Sequence, residues 1–119
     1  MHLHFVFLQQ GIVMEKPLKL EIIKDLKNHI QAYYPVSELI LFGSQARNEE
    51  TEDSDYDILV ILKTAYSWQD EHDIYALCAD ICLKYGILVD VHIISFAELK
   101  TIRGYQPIYA NAVKSGIYA

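Results

Sequence analysis

The stretch that decides the fold is Ser54-Asp-Tyr-Asp-Ile-Leu-Val-Ile-Leu62, where two aspartates precede an unbroken apolar run. Such a run predicts a strand that is buried on both faces near the centre of a sheet. Asp55 and Asp57 stand two residues apart, so the period of a strand places both carboxylates on one face, about 6 to 7 Å apart. Because aspartate is depleted in strands, this pair calls for an explanation.

A third aspartate, Asp90, lies within the apolar segment 87–94, which predicts another strand. If this strand lies beside the first, the three carboxylates can converge. Like charges about 6 Å apart repel by roughly 3 kcal/mol per pair at an effective dielectric near 20, which is large against the ~5 to 15 kcal/mol that stabilises a domain. Mg²⁺ prefers a few carboxylates plus water and phosphate oxygens, and bound metal would turn the repulsion into attraction. The alternative is that Asp55 caps the loop, Asp57 is solvated, and Asp90 pairs with a basic side chain.

Gly43-Ser44 ends another predicted strand, 37–42. A glycine at a strand end lets backbone N–H groups approach an anion, and a serine hydroxyl adds a donor, so this turn can hold a triphosphate. Arg47 can neutralise phosphate charge or form a surface ion pair with Glu49 or Glu50. His92 shares a face with Asp90, which suggests either a contact with substrate or an ordinary hydrogen-bonded strand histidine.

The remaining pattern alternates helices with these strands. After Pro17, a helical period predicts a helix that Pro35 ends, with an apolar face of Ile22, Ile23, Leu26, Ile30 and Tyr33. Ser67 and Asp70 predict a capping box that starts a second helix, and Gly86 predicts its C-terminal cap. One stripe of that helix is formed by Trp68, His72, Tyr75, Ala79 and Cys82. The order of elements predicts an α+β fold, an α/β sandwich in which helices pack on a small mixed β-sheet.

Length and charge limit the possible functions. A chain of 119 residues has room for one domain, which we place at 18–119, with 1–17 as an N-terminal extension that could form an edge strand or contact a partner. The net charge of −6 argues against direct nucleic-acid binding. No apolar run approaches the ~20 residues of a membrane span, and no secretory signal is evident. Cys78 and Cys82 are typical of small buried apolar residues in a cytoplasmic protein.

The motifs together carry a family resemblance. Gly43-Ser44, ten intervening residues, and Asp55-Tyr56-Asp57 resemble the signature of the polymerase-β-like nucleotidyltransferase superfamily, and most closely its minimal single-domain branch, the MNT proteins. Asp90, the stretch Leu41-Phe-Gly-Ser-Gln-Ala-Arg47 and the closing segment 114–118 fit that branch, so the resemblance covers roughly 18–118. One departure is Asn48, which stands where the family usually has glycine. Asparagine tolerates left-handed backbone angles, so the turn can persist.

The resemblance implies a polymerase-β-like nucleotidyltransferase fold and transfer of a nucleoside monophosphate from a triphosphate, releasing pyrophosphate. Asp55, Asp57 and Asp90 would bind Mg²⁺, as two ions, and Asp90 would promote deprotonation of the acceptor. Gly43, Ser44 and Arg47 would bind the nucleotide.

The resemblance also implies a partner. Many minimal members look like antitoxins that transfer AMP from ATP to a tyrosine of a HEPN-domain ribonuclease toxin. Two alternatives stay open: an antitoxin that neutralises its partner by binding alone, and a nucleotidyltransferase for a small hydroxyl acceptor.

Overall fold

A four-stranded sheet organises the molecule in the computed structural model, which describes residues 5–8, 11–14, 18–51 and 54–119. The elements are, in chain order, β1 (Phe5–Leu8), β2 (Gly11–Met14), α1 (Lys19–Gln31), β3 (Val36–Phe42), α2 (Gly43–Ala46), β4 (Tyr56–Leu62), α3 (Trp68–Tyr85), β5 (Val89–Ser95), α4 (Phe96–Leu99), a 3₁₀ helix (Ile102–Tyr105), α5 (Pro107–Ser115) and β6 (Ile117–Tyr118).

The strand order in the sheet is β5-β4-β3-β6, with β4 and β5 parallel and both β3–β4 and β3–β6 antiparallel. This mixed sheet with packed helices confirms the predicted α+β class. Strand β4 is central, and its residues from Ile58 to Leu62 are all buried, as the apolar run predicts. The strand begins at Tyr56, however, so Asp55 precedes it rather than lying within it.

Helices cover both faces of the sheet. On one face, α1 and α3 pack against Leu39, Ile58 and Val60 in the larger apolar core. On the other face, α5 contributes Tyr109 and Ala112 to a smaller core. That second core takes the alternate strand residues, which are Ile40, Leu59, Ile61 and Ile94. The two sets alternate along the strands because successive side chains point to opposite faces.

Helix α1 buries most of its predicted apolar face. Ile22, Ile23, Leu26 and Ile30 are at most 4% exposed. The prediction for Tyr33 is wrong, because this side chain is 70% exposed. The helix ends at Gln31, four residues before Pro35, and the following turn no longer keeps the helical period. The prediction that Pro17 opens this helix lies outside the described residues.

Helix α3 has the predicted ends but a different buried face. Ser67 and Asp70 form the capping box, and Gly86 adopts a left-handed φ of 66°, which confirms both predictions. The buried side chains are Ile74, Cys78 and Ile81. The aromatic stripe faces outward instead, with Trp68 67% and Tyr75 44% exposed. Compact aliphatic side chains bring a helix close to a flat sheet, and this favours the Ile74 side of the helix over the Trp68 side.

The two cysteines are free thiols that differ in burial. Cys78 is 3% exposed and behaves as the predicted small apolar residue, whereas Cys82 is half-buried. Burial raises the pKa of the Cys78 thiol to about 12. Since the thiolate is the reactive form, Cys78 serves packing rather than chemistry.

Strands β1 and β2 form an antiparallel hairpin of their own within the predicted extension 1–17, pairing Phe5 with Met14 and Leu8 with Gly11. Neither of these strands pairs with the four-stranded sheet. None of the helices in the described ranges is both long and apolar enough to cross a membrane.

Candidate active site

Two of the three predicted carboxylates lie side by side at one end of the sheet. Asp57 on β4 and Asp90 on β5 are register partners across the parallel pair. Their neighbours Ile58 and Val91 belong to the core under α1 and α3. Both aspartates therefore lie on the opposite face, the one that α5 covers. Asp55 is exposed and lies one residue before β4.

The three carboxylates influence one another. Burial raises the pKa of Asp57, and the negative charges of Asp90 and Asp55 raise that pKa further. The nearby His92 and Arg47 lower it, by a smaller effect. The ionised form of Asp57 is thus disfavoured in the folded chain, and a bound cation would relieve this cost.

The carboxylates do not form a closed metal cage by themselves. Among residues 18–51 and 54–119, no group of three or more His, Cys, Asp or Glu side chains is arranged to hold a metal ion. The donor set nevertheless fits Mg²⁺, since this ion takes one or two carboxylates and completes its shell with water and phosphate oxygens.

His92 lies two residues along β5 from Asp90, on the same face as predicted. Its Nε2 is 3.5 Å from Asp90 Oδ2, and its ring packs at 5.9 Å from the ring of Phe42. The Asp90 side chain keeps 56% of its surface exposed, whereas His92 keeps 29%. Asp90 is therefore accessible to a group that arrives from solvent, while the less exposed His92 contacts its carboxylate.

Gly43 lies directly against Asp57. Phe42, the last residue of β3, is the register partner of Asp57, and the chain then turns at Gly43 with a left-handed φ of 72°. A Cβ atom at this glycine would overlap Asp57 Oδ2. Glycine suits this position through both its backbone angle and its missing side chain, since any Cβ would push the Asp57 carboxylate aside. The Gly-Ser turn and the aspartates thus form one continuous surface.

The turn after Arg47 keeps its left-handed residue. Asn48 has a φ of 55°, so the left-handed turn predicted at this position is present. Arg47 is exposed, and its Nε donates to Glu49 Oε2 at 3.1 Å, which is the alternative foreseen from the sequence. An exposed pair of this kind contributes only about 0 to 1 kcal/mol, so it does not commit Arg47 to this position.

Two residues that hold the Gly43-Ser44 turn, Gln45 and Lys19, were not predicted from the sequence. Gln45 belongs to α2, is only 6% exposed, and donates from Nε2 to the Ser54 carbonyl at 3.1 Å, which links the Gly-Ser turn to the start of β4. Lys19 Nζ donates to the Gln45 carbonyl at 2.9 Å, to Asn48 Oδ1 at 3.0 Å and to Glu50. Glu50, the other acidic partner that the sequence offered to Arg47, is thus paired with Lys19 instead. The one sequence signal for Gln45 was its position inside the stretch Leu41-Phe-Gly-Ser-Gln-Ala-Arg47 that carries the family resemblance.

Comparisons with known proteins agree with this geometry. Residues 24–111 match the family model for polymerase beta nucleotidyltransferases. A protein of Methanocaldococcus jannaschii with the provisional name protein adenylyltransferase is 30% identical over 96 residues, which are 79% of this chain and 90% of that protein. A structure provisionally described as a minimal nucleotidyltransferase aligns with a TM-score of 0.53 and 25% identity, covering 87% of this chain and 98% of that one.

A chain of the toxin–antitoxin complex MntA–HpeT aligns with a TM-score of 0.60, covering 85% of this chain and 72% of that one. At 16% identity, this similarity shows a shared fold. The chain belongs to the polymerase beta nucleotidyltransferase family, as a nucleotidyltransferase of the minimal kind.

Proposed function

We propose that this chain is a Mg²⁺-dependent protein adenylyltransferase that transfers AMP from ATP to a tyrosine of a partner HEPN ribonuclease toxin and thereby acts as its antitoxin. The observation that carries the proposal is the register pairing of Asp57 with Asp90 beside the Gly43 turn. The provisional name of the relative from M. jannaschii supports a protein acceptor, and the toxin–antitoxin complex that shares the fold supports a toxin as the partner.

Each site residue has a role in this reaction. The acceptor oxygen forms a bond to the α-phosphorus of ATP while the bond from that phosphorus to its bridging oxygen breaks, so pyrophosphate leaves. Asp55 and Asp57, with Asp90 as the third ligand, would hold two Mg²⁺ ions, which supply charge neutralisation for the phosphates. Gly43 and Ser44 would hold the triphosphate, and Arg47 would turn from Glu49 towards it.

Asp90 acts as the general base in this proposal. Its exposed carboxylate accepts the proton of the incoming hydroxyl, and the contact with His92 keeps it oriented. The ring of His92 is itself held by Phe42. His92 is thus a positioning residue for Asp90.

An exposed apolar surface supports a protein acceptor. Ile102 and Tyr105 are 86% and 80% exposed, and the three-residue period of their 3₁₀ helix places them on one side. Large apolar side chains that remain in water side by side are typical of a surface that a protein partner covers.

The decisive test uses ATP labelled at the α-phosphate, Mg²⁺ and a HEPN ribonuclease as acceptor. We expect Asp55→Asn and Asp57→Asn each to lower label transfer at least ~100-fold, because each removes a charged metal ligand. Asp80→Asn is the matched control, since Asp80 is exposed and pairs with His29, and it should keep full activity. Chelation by EDTA should abolish transfer. Full transfer by the Asp55 and Asp57 variants would show that the metal assignment is wrong.

The same variants also report on folding. Because the pKa of Asp57 is raised, its ionised form weakens the metal-free fold. Asp57→Asn should therefore melt at or above the wild-type temperature once the pH rises through the folded-state pKa of Asp57, and this gain should vanish below the unfolded-state pKa. A lower melting temperature at neutral pH would trace any loss of transfer to unfolding.

A binding-only antitoxin is the second candidate, and the exposed side chains of Ile102 and Tyr105 favour it, because a partner can cover them without any reaction. In that case the Asn variants would still neutralise the ribonuclease, in equal stoichiometry and without ATP. A nucleotidyltransferase for a small hydroxyl acceptor would instead label that compound and leave the ribonuclease unlabelled.

A further inference from the structure

A pocket of about 320 Å³ opens beside the Gly43 turn, between α2 and α5. One wall is a single side of α2 and its end, formed by Gly43, Ala46 and Arg47. The other wall is a single side of α5, formed by Ile108, Asn111 and Ser115. Phe42 closes the pocket from the sheet. Because Gly43 belongs to the pocket and also touches Asp57, the pocket is continuous with the candidate active site.

The chemistry of the walls suits a nucleoside. Phe42 offers a flat aromatic ring and Ile108 an aliphatic surface to an aromatic heterocycle, and the Asn111 amide offers both a donor and an acceptor to its polar edge. Arg47 supplies a cation. Among the residues that the structure describes, no acidic side chain lines the pocket, although the chain carries sixteen acidic residues. An anionic ligand with an aromatic body fits this lining.

The size of the pocket and the packing of its α5 wall also favour a small ligand. A volume near 320 Å³ is at the lower end of small-molecule sites, and an α-helix of a partner, about 10 to 12 Å across, is too wide for it. The α5 wall is anchored by Tyr109 and Ala112 in the core. Arg103 Nη2 also donates to the Tyr109 hydroxyl at 3.3 Å while Nη1 donates to Glu98 Oε2 at 2.6 Å.

We propose that this pocket binds the base and ribose of the nucleoside triphosphate, with Asn111 as the residue that recognises the edge of the base. The inference rests on the proposed function, because the triphosphate lies on Gly43 and Ser44 only if the chain uses such a substrate. The nucleoside then extends from these phosphates into the space between α2 and α5.

The test measures binding by calorimetry with Mg²⁺ and three probes: ATP, the other nucleoside triphosphates, and inorganic triphosphate, which lacks the nucleoside. Ser115→Phe fills the pocket and should weaken ATP binding at least ~10-fold. Asn111→Leu removes the amide and should weaken ATP ~5- to 20-fold while levelling the preference among bases. Neither change should alter inorganic triphosphate binding more than ~2-fold. Ala110→Phe, on the exposed side of α5, and Asn28→Leu, on exposed α1, are the matched controls.

The outcomes separate this inference from the function it rests on. Unchanged ATP affinity in both pocket variants would overturn the inference, and so would an equal loss for inorganic triphosphate, which would assign the pocket to phosphate. A raised KM for the acceptor alone would assign the pocket to the acceptor side chain and would also overturn it. If ATP binding depends on the pocket but the wild type transfers no label, the nucleoside site stands and the catalytic proposal fails.

Discussion

Gly43 shows how one residue ties the two halves of the signature together. Its left-handed φ of 72° and the overlap of any Cβ with Asp57 Oδ2 are separate constraints on the same position. The first is a property of the backbone alone. The second exists only because β3 and β4 pair in this register and bring Phe42 opposite Asp57.

We predict that Gly43→Ala destabilises the chain more than Gly86→Ala. Gly86 has a nearly equal φ of 66°, and a Cβ added there would meet no atom within 4 Å. Its replacement should therefore cost only the left-handed penalty of about 1 to 2 kcal/mol. Gly43→Ala should cost that amount plus the clash. The measurement is the free energy of unfolding in urea.

A double-mutant cycle separates the two costs at Gly43. Asp57→Ala removes the carboxylate, so in that background Gly43→Ala should no longer cost the clash but should still cost the backbone penalty. We therefore expect a coupling free energy of about 0.5 to 3 kcal/mol between the two positions. Equal destabilisation by the two glycine substitutions, together with zero coupling, would show that Gly43 does not contact Asp57 in solution.

At the scale of elements, α3 presents two candidate faces to the sheet. Its aromatic stripe follows a helical period as well as the aliphatic one does, so hydrophobic period alone does not choose between them. In the structure, Trp68 and His72 stack edge to face at 5.6 Å in water, while Ile74 is fully buried. Helix packing on a sheet depends on shape at the contact, which is a property of both partners.

We predict very different losses in the free energy of unfolding when a side chain is truncated on one face of α3 or on the other. Ile74→Ala should lower the free energy of unfolding by about 2 to 5 kcal/mol, because it leaves a cavity in the core. Trp68→Ala, although it removes a larger side chain, should change it by no more than about 0.5 kcal/mol. The check is chemical denaturation of both variants at one pH. A larger loss for Trp68→Ala would place the aromatic stripe against the sheet.

At the scale of the whole molecule, the described strands form two separate sheets, the hairpin within 5–14 and the main sheet within 36–118. Strands β1 and β2 pair with each other rather than with the main sheet. A two-stranded hairpin adds little stability by itself. The division of the chain at 17/18 therefore stays a prediction.

We predict that a chain lacking 1–17 unfolds within about 2 °C of the full chain and retains nucleotidyl transfer. Removal of 107–119 is the contrasting change, because it deletes buried Tyr109 and Ala112 and the strand that pairs with Leu41. That truncation should lower the melting temperature by more than about 10 °C or prevent folding. A fall above about 5 °C on deleting 1–17 would show that the hairpin packs on the domain.

The sequence by itself determined the fold class, the central strand and both helix caps of α3, because these depend on local period and capping chemistry. The proximity of Asp57 to Asp90 followed from the sequence only on the condition that their strands are neighbours, and the parallel pairing of β4 with β5 met that condition. Only the tertiary structure decided which face of α3 is buried, that Tyr33 is exposed, and that Gln45 and Lys19 hold the Gly-Ser turn. The tertiary structure alone also formed the pocket between α2 and α5. These features depend on contacts between residues far apart in the chain, whose geometry no local pattern contains.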